Sequence, residues 1–434
     1  MEKQFKTANL AAKQANNLLF ASLFLDMDEV VQAAQALLCH PEKGKQVKKA
    51  LQKMMIEELP RLKTSMSHDE LKNAVANRVA MWTETIGDPT IEQCASLSKY
   101  WNVPIGDIIK DKITPTLIYD LLNCFIVGQE DYKRQLSTSF YLNMLKNDER
   151  SGLLELPQSN LLVCGPSGSG KTFGIQTLAR YFGLPVIIIH CNTLVQEGIR
   201  GINIPDYFTH AYRSFKTMDK DLKKAELRKA IVCFDEFDKL YEKGHYNETI
   251  RNEILGYIDD NGEICFSERP DNEGEKITLS TKQMMFVFTG VFQGLDKICS
   301  GERLGFYTNA QNDSNPKRIS SSDLIKFGIK PEIVGRIQNY TTVDKLSIDN
   351  LYEVLDSKLD SPLNSFQNYF QLNGIEMTVT DDAKMLLAEM AYEKGLGVRG
   401  IKSLLNAILC DEMHSLKAGK HFEIDSCYIK KHIN

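Results

Sequence analysis

Gly165-Pro166-Ser167-Gly168-Ser169-Gly170-Lys171-Thr172 is the stretch of this chain whose residue types make little sense without a polyphosphate. Glycines let backbone N–H groups turn inward around phosphate oxygens. Lys171 would reach the terminal phosphates, and the Thr172 hydroxyl would hold Mg²⁺. The loop follows the apolar run Leu161-Leu162-Val163-Cys164, a short buried strand by its pattern, and opens a helix-compatible segment from Lys171 through Phe182. In that order the helix N-terminus adds its partial positive charge to the amide cradle. A second chemical pair, Asp235-Glu236, ends the apolar run Ile231-Val232-Cys233-Phe234. Asp235 at a strand end can join the magnesium shell, and Glu236 can orient and deprotonate the attacking water. Together the two stretches predict hydrolysis of ATP or GTP.

The elements needed to position these groups are legible around them. Leu161 to Cys164, Pro185 to His190, Ile231 to Phe234 and Met284 to Thr289 are short apolar runs separated by amphipathic stretches. That alternation predicts an α/β domain, a parallel sheet between helices. Thr114-Pro115 marks its start, because the residue before a proline resists helix. Beyond Leu346 the pattern predicts helices at Asp349 to Tyr369, Asp381 to Lys394 and Val398 to Leu416, hence a small, mainly helical C-terminal domain. The expected divisions are 1–112, 113–346 and 347–434.

Residues 1–112 predict an all-helical module. Val47, Leu51, Met54, Met55 and Leu59 recur at helical spacing, as do Leu71, Val75, Val79, Trp82 and Ile86. A box from Thr90 to Gln93 predicts a helix that stops near Asn102-Val103-Pro104, and Ile105 to Ile109 begins another. Asp107 and Asp111 beside Lys110 and Lys112 give this pair no cationic face for a DNA groove, so two packed structural helices are expected and nucleic acid is not. The formal charge of −5 over 434 residues agrees. Hydrophobic residues at 43% and charged residues at 25% match a soluble globular protein, and no apolar run spans a bilayer. Ten cysteines without a C-x-x-C pair predict reduced thiols, many of them buried, in a cytoplasmic protein, and Cys410 and His414 are expected to be ordinary helix residues.

Several blocks occur in one order and register: Thr114-Pro115-Thr116, Phe125-Ile126-Val127-Gly128-Gln129-Glu130, the phosphate loop, Asp235-Glu236-Phe237-Asp238-Lys239, Gly290-Val291-Phe292-Gln293-Gly294-Leu295-Asp296, Asp323 to Gly328, Pro331 to Arg336, and Gly397-Val398-Arg399-Gly400. With them the chain, from Ile113 onward, resembles the ClpX-type AAA+ unfoldases. The resemblance implies an AAA+ P-loop fold, ATP and Mg²⁺ as cofactors, protein substrates and a homohexamer with ATP at its subunit interfaces. It implies that Ile126 and Val127 bracket the adenine and that Arg336 is offered to the neighbouring subunit's nucleotide. Arg399 of the small domain would touch the phosphates in cis, and Thr289 at the end of the fourth strand would sense the γ-phosphate.

The chain departs from that pattern in three places. The zinc-binding N-terminal domain of the family, with two C-x-x-C pairs, has no counterpart in 1–112, which is expected to serve as a different adaptor or substrate module. The substrate-gripping pore loop has an aromatic residue in the family, but here Gly198-Ile199-Arg200-Gly201 has less area to grip and an added charge. A narrower client range and a non-processive remodeller both fit. Leu304-Gly305-Phe306 fits the aliphatic-Gly-Phe tripeptide that docks on a ClpP-type peptidase, and equally a local turn. A DNA-linked AAA+ motor and a non-enzymatic ATP-binding scaffold are the competing classes.

Overall fold

The computed structural model describes residues 91–101, 104–106, 113–148, 156–195, 202–215, 219–242, 247–270, 274–300, 319–357, 360–416 and 421–432. The chain forms two compact units, Met1–Ile113 with Tyr181–Gly183, and Thr114–Arg180 with Leu184–Asn434. In the first unit the described helix is α1, Ile91–Trp101. The apolar stripes expected between Val47 and Ile86 lie outside the described residues, as do Gly198-Ile199-Arg200-Gly201 and Leu304-Gly305-Phe306.

The second unit opens with α2 (Pro115–Asn123) and α3 (Glu130–Lys146). Thr114 is extended and accepts a bond from Leu117 N, while Pro115 occupies the first helical turn, where a missing N–H costs nothing. Then come β1 (Leu161–Cys164), α4 (Lys171–Phe182), β2 (Val186–His190), α5 (Ile204–Ser214), α6 (Lys220–Arg228), β3 (Ile231–Asp235) and α7 (Asn247–Tyr257). A hairpin of β4 (Glu263–Ser267) and β5 (Lys276–Ser280) follows, then β6 (Met285–Gly290), α8 (Leu295–Ser300), α9 (Ser321–Phe327), α10 (Pro331–Ile337) and β7 (Asn339–Thr342).

Five of these strands form one parallel sheet in the order β2-β3-β6-β1-β7. The apolar runs explain that order. β1 and β6 are buried along their whole length and β3 along all but its last residue, as strands covered on both faces must be, whereas β2 alternates and β7 is polar, as edges can be. Phe234 stacks on Phe288 across the β3–β6 pair at 5.3 Å, and Phe237 adds to that cluster at 4.7 Å from Phe288. The register Val163↔Thr289 and Cys164↔Gly290 brings the carboxyl ends of β1 and β6 level, with β3 beside them.

The chain then builds a second core from α11 (Ile348–Asp356), α12 (Asn364–Leu372), β8 (Glu376–Val379), α13 (Asp381–Glu393), α14 (Val398–Ser415), β9 (His421–Ile424) and α15 (Ser426–His432). The single helix expected over Asp349 to Tyr369 is two helices. Pro362 lacks the N–H a continuous helix needs, and Ser361 takes over locally, donating to Leu355 O at 2.7 Å and accepting from Leu363 N at 3.2 Å. The parallel pair β8–β9 was not anticipated in this mainly helical part.

Candidate nucleotide site

The phosphate loop is stitched to both neighbours of β1. Gly165 N donates to Gly290 O at 3.0 Å, and Val343 N donates to Cys164 O at 2.8 Å. Ser169 Oγ donates to Pro166 O at 2.7 Å, closing the loop on itself. Lys171 is 8% exposed and donates to Gly165 O and Pro166 O, each at 2.7 Å. Two of its three donors are thereby used within the loop. Burial lowers the Lys171 pKa, and the Asp235 and Asp238 carboxylates pull it back up. From behind, the buried Tyr132 hydroxyl donates to Lys171 O at 2.5 Å and ties α3 to the first turn of α4. Thr172 follows, half-buried, in that same turn.

At the end of β3, Asp235 Oδ1 accepts from Thr289 Oγ1 at 2.5 Å and from Glu236 N at 3.2 Å, and His190 Nδ1 lies 3.9 Å from Oδ2. Glu236 adopts φ 57, ψ 39, a left-handed conformation that costs a non-glycine residue about 1–2 kcal/mol. It breaks the alternation of the strand where the chain passes into the short 3-10 helix Phe237–Tyr241. Thr289 is fully buried, so its hydroxyl reaches the site through Asp235 rather than at the surface of the cleft.

The C-terminal part of the second unit meets the loop directly. Arg399 Nη1, in the first turn of α14, donates to Ser167 Oγ at 3.1 Å, and Val398 N donates to Gly168 O at 3.4 Å. The approach is close enough to exclude side chains. A Cβ on Gly168 would lie 2.3 Å from Leu396 O, and one on Gly397 2.5 Å from Gly168 O, both glycines having positive φ. Next to this contact a small cleft is lined by the loop from Pro166 to Ser169 and by Lys345, Leu351 and Tyr392 among others. The Lys345 ammonium sits 4.1 Å from the Tyr392 ring centroid. Ile126 and Val127 do not line the cleft: Ile126 is buried against α4 at Gly174, and Val127 is half-buried on the turn before α3. That turn is held by Gln129, whose side-chain amide donates to Asp344 O and accepts from Asp344 N, each at 2.9 Å.

Arg336 stands apart from the loop, in the last turn of α10. Its side chain is 37% exposed, with Nη2 2.7 Å from Asp259 Oδ1 and Nη1 2.9 Å from Asp260 Oδ2. It is at the surface of the fold rather than enclosed by it, and its main-chain oxygen accepts from Asn160 Nδ2 at 3.0 Å.

Thus the loop, Asp235, Thr289 and Arg399 meet at one sheet edge, and Arg336 faces outward elsewhere. Sequence reasoning missed Tyr132, Lys345 and Tyr392, whose spacing is that of ordinary core or surface residues. Gln129 lies within one of the matching sequence blocks, but nothing local gives away a partner 215 positions later. Among the described residues no group of three or more His, Cys, Asp or Glu could hold a metal ion. Cys164, Cys191 and Cys233 are buried free thiols, and burial pushes Cys233 up to about 12, whereas Cys265, Cys410 and Cys427 are exposed. No described helix is long and apolar enough to cross a membrane.

Two family models match the chain: the ATPase family associated with various cellular activities (AAA) over residues 161–289, and the C-terminal, D2-small domain of ClpB protein over 346–426. The ATP-dependent Clp protease ATP-binding subunit ClpX of Porphyromonas gingivalis is 29% identical over 350 residues, which is 75% of this chain and 84% of that protein. The protein of the same name from Borrelia duttonii is 29% identical over 335 residues, 71% of this chain and 76% of that protein.

Proposed function

We infer that this chain, a ClpX-type AAA+ ATPase, couples ATP hydrolysis to the unfolding or remodelling of protein substrates. The observation that carries this reading is the meeting, at one sheet edge, of a lysine-bearing phosphate loop, a strand-end carboxylate and an arginine from the C-terminal helical part of the chain. Loop amides and Lys171 hold the β- and γ-phosphates. The Thr172 hydroxyl and Asp235 form an all-oxygen donor set, and a single carboxylate suits a cation that takes its remaining ligands from phosphate and water, so these residues fit Mg²⁺. The ion would neutralise charge on the phosphate oxygens. Glu236 takes a proton from the water whose oxygen attacks the γ-phosphorus, and ADP leaves. Arg336 from the adjoining subunit of a homohexamer faces the charge that develops on the transferred group. Arg399, already bonded to the loop at Ser167, relates nucleotide state to the angle between 113–346 and 347–434.

In this scheme 1–112 recruits clients or adaptors, Gly198-Ile199-Arg200-Gly201 contacts the polypeptide, and Leu304-Gly305-Phe306 docks a ClpP-type peptidase. The test is an unfolding assay on a tagged fluorescent client, with and without such a peptidase. ATP-dependent loss of fluorescence supports the motor, and client fragments appearing only with peptidase support docking. Steady ATP turnover with fluorescence retained favours the non-processive remodeller, a reading that Ile199 in place of an aromatic makes specific. Glu236→Gln should bind ATP normally and nearly stop turnover, and ordinary turnover in that variant removes Glu236 from its role.

A further inference from the structure

Asp238 is a buried carboxylate that this mechanism leaves unused. It lies in the 3-10 helix Phe237–Tyr241 and is 7% exposed. Its Oδ2 accepts from Phe292 N at 3.2 Å, and its Oδ1, also buried, has no hydrogen-bond partner. A half-satisfied carboxylate is a costly group to keep inside a protein, and its hydrogen bond goes to Phe292 N.

That bond closes a four-residue bracket. Thr289 grips Asp235, Gly290 O accepts from Gly165 N at the start of the phosphate loop, and Phe292 N is held by Asp238. The segment Thr289 to Phe292 therefore touches both ends of the turn that carries Asp235 and Glu236, and the phosphate loop between them. Phe292 has φ 50, a conformation kept by its surroundings rather than by its own preference. Its buried ring packs on Phe327 at 5.3 Å. Phe327 ends α9, and α10, which carries Arg336, begins four residues later. Gly290 is fitted to the same carboxylate and to the Phe292 ring, since a Cβ there would lie 2.4 Å from Asp238 Oδ1 and 2.7 Å from Phe292 Cε2.

We propose that Asp238 is a positioning residue for hydrolysis: by holding Phe292 N it fixes the turn after β6, and with it the helix pair carrying Arg336, against the turn that carries Glu236. This rests on the roles given above to Glu236 and Arg336. Phosphate binding draws on Lys171 and the loop amides; Asp238 bonds to neither and acts on Lys171 only through its charge, so the main defect should appear in turnover rather than in binding.

The test measures ATP turnover and binding of a fluorescent Mg·ATP analogue on full-length D238A, D238N, G290A and D238A/G290A. D238A should lose tenfold or more in kcat with Kd changed less than threefold. D238N keeps a carbonyl oxygen for Phe292 N and should stay within threefold of the parent. G290A, which strikes both the carboxylate and the Phe292 ring, should fall at least as far as D238A does, and in the D238A background it should cost less than it does alone, because the struck oxygen is gone while the ring remains. Parent-like kcat in D238A, equal impairment of D238N and D238A, or losses that multiply in the double variant would overturn the proposal. If D238A does not fold, G290A against D238N decides it. Parent-like turnover in Glu236→Gln would instead remove Glu236 from its role, and with it the reading on which this proposal rests, whatever the Asp238 variants do.

Discussion

Thr289 donates its hydroxyl to Asp235 Oδ1 at 2.5 Å from a fully buried position on the neighbouring strand, where its backbone pairs with Val163 of β1. The carboxylate proposed for the cation is thus oriented by β6 and not by its own strand alone. Thr289→Val keeps the shape and removes the donor, leaving Oδ1 with the Glu236 amide. Losing one charge-assisted bond of this kind costs about 1.5–3 kcal/mol. ATP turnover should fall about tenfold or more and half-saturation by Mg²⁺ should move upward severalfold, read from initial rates across a magnesium titration. An unchanged magnesium requirement would mean that Asp235 does not depend on this hydroxyl.

Lys171 gives a pH dependence with a definite sign. Burial lowers its pKa from the ordinary lysine value of 10.5. Between the lowered value and 10.5 the unfolded chain binds more protons at this residue than the folded one, so raising pH through that window adds to stability. Phosphate affinity runs the other way, because the loop loses its cation. The alkaline limb of kcat/KM, which reports the free enzyme, should therefore fall below pH 10.5 while thermal unfolding shows no matching loss from this group. The limb of kcat should lie higher, since bound phosphate favours the ammonium. Coincident limbs would assign the ionisation to another group.

Arg399 and Gly397 test the junction between loop and small domain. Arg399→Ala removes the bond to Ser167 Oγ and, in the proposed cycle, a contact to phosphate, so ATP affinity should drop about 10- to 150-fold, the range for one charge-assisted hydrogen bond. Gly397→Ala places a methyl 2.5 Å from Gly168 O at a residue with φ 56, and should weaken binding with Arg399 still present. Titration with a fluorescent nucleotide reads both. Parent-like affinity in both variants would make the junction a packing contact without a role in nucleotide binding.

The parts of this fold that could be read directly were those in which chemistry and local pattern coincide. β1, β3 and β6 are continuous apolar runs because both faces are covered, and the glycine loop announces itself by composition. β7 was missed because Asn339-Tyr340-Thr341-Thr342 is a polar edge whose strand character comes from pairing with β1. β5 carries a strict in-out alternation over Lys276–Ser280 that a search for period two would have found. The Gln129–Asp344 clasp and the bracket from Thr289 to Phe292 are long-range bonds, and no local pattern encodes a partner far along the chain. Arg336 was identified by resemblance, and its ion pairs to Asp259 and Asp260 follow only from the turn after α7 reaching the end of α10.

Those ion pairs set the last prediction. Exposed pairs of this kind contribute about 0–1 kcal/mol each, so in the proposed ring a triphosphate on the adjoining subunit can compete for the Arg336 guanidinium. Arg336→Ala should leave nucleotide binding nearly intact and lower turnover at least about a hundredfold. A slow variant alone does not say which subunit's nucleotide the arginine serves. Mixing does: an Arg336→Ala subunit keeps its own Glu236, and a Glu236→Gln subunit keeps its own Arg336, so some junctions in a mixed ring regain both groups. With random assembly about one junction in four pairs an intact Glu236 with an intact Arg336 across the interface. Turnover of the mixture should therefore rise well above either variant alone, toward about a quarter of the parent rate. A mixture no faster than the sum of its two inactive parts would show that Arg336 acts within its own subunit, or not on nucleotide at all.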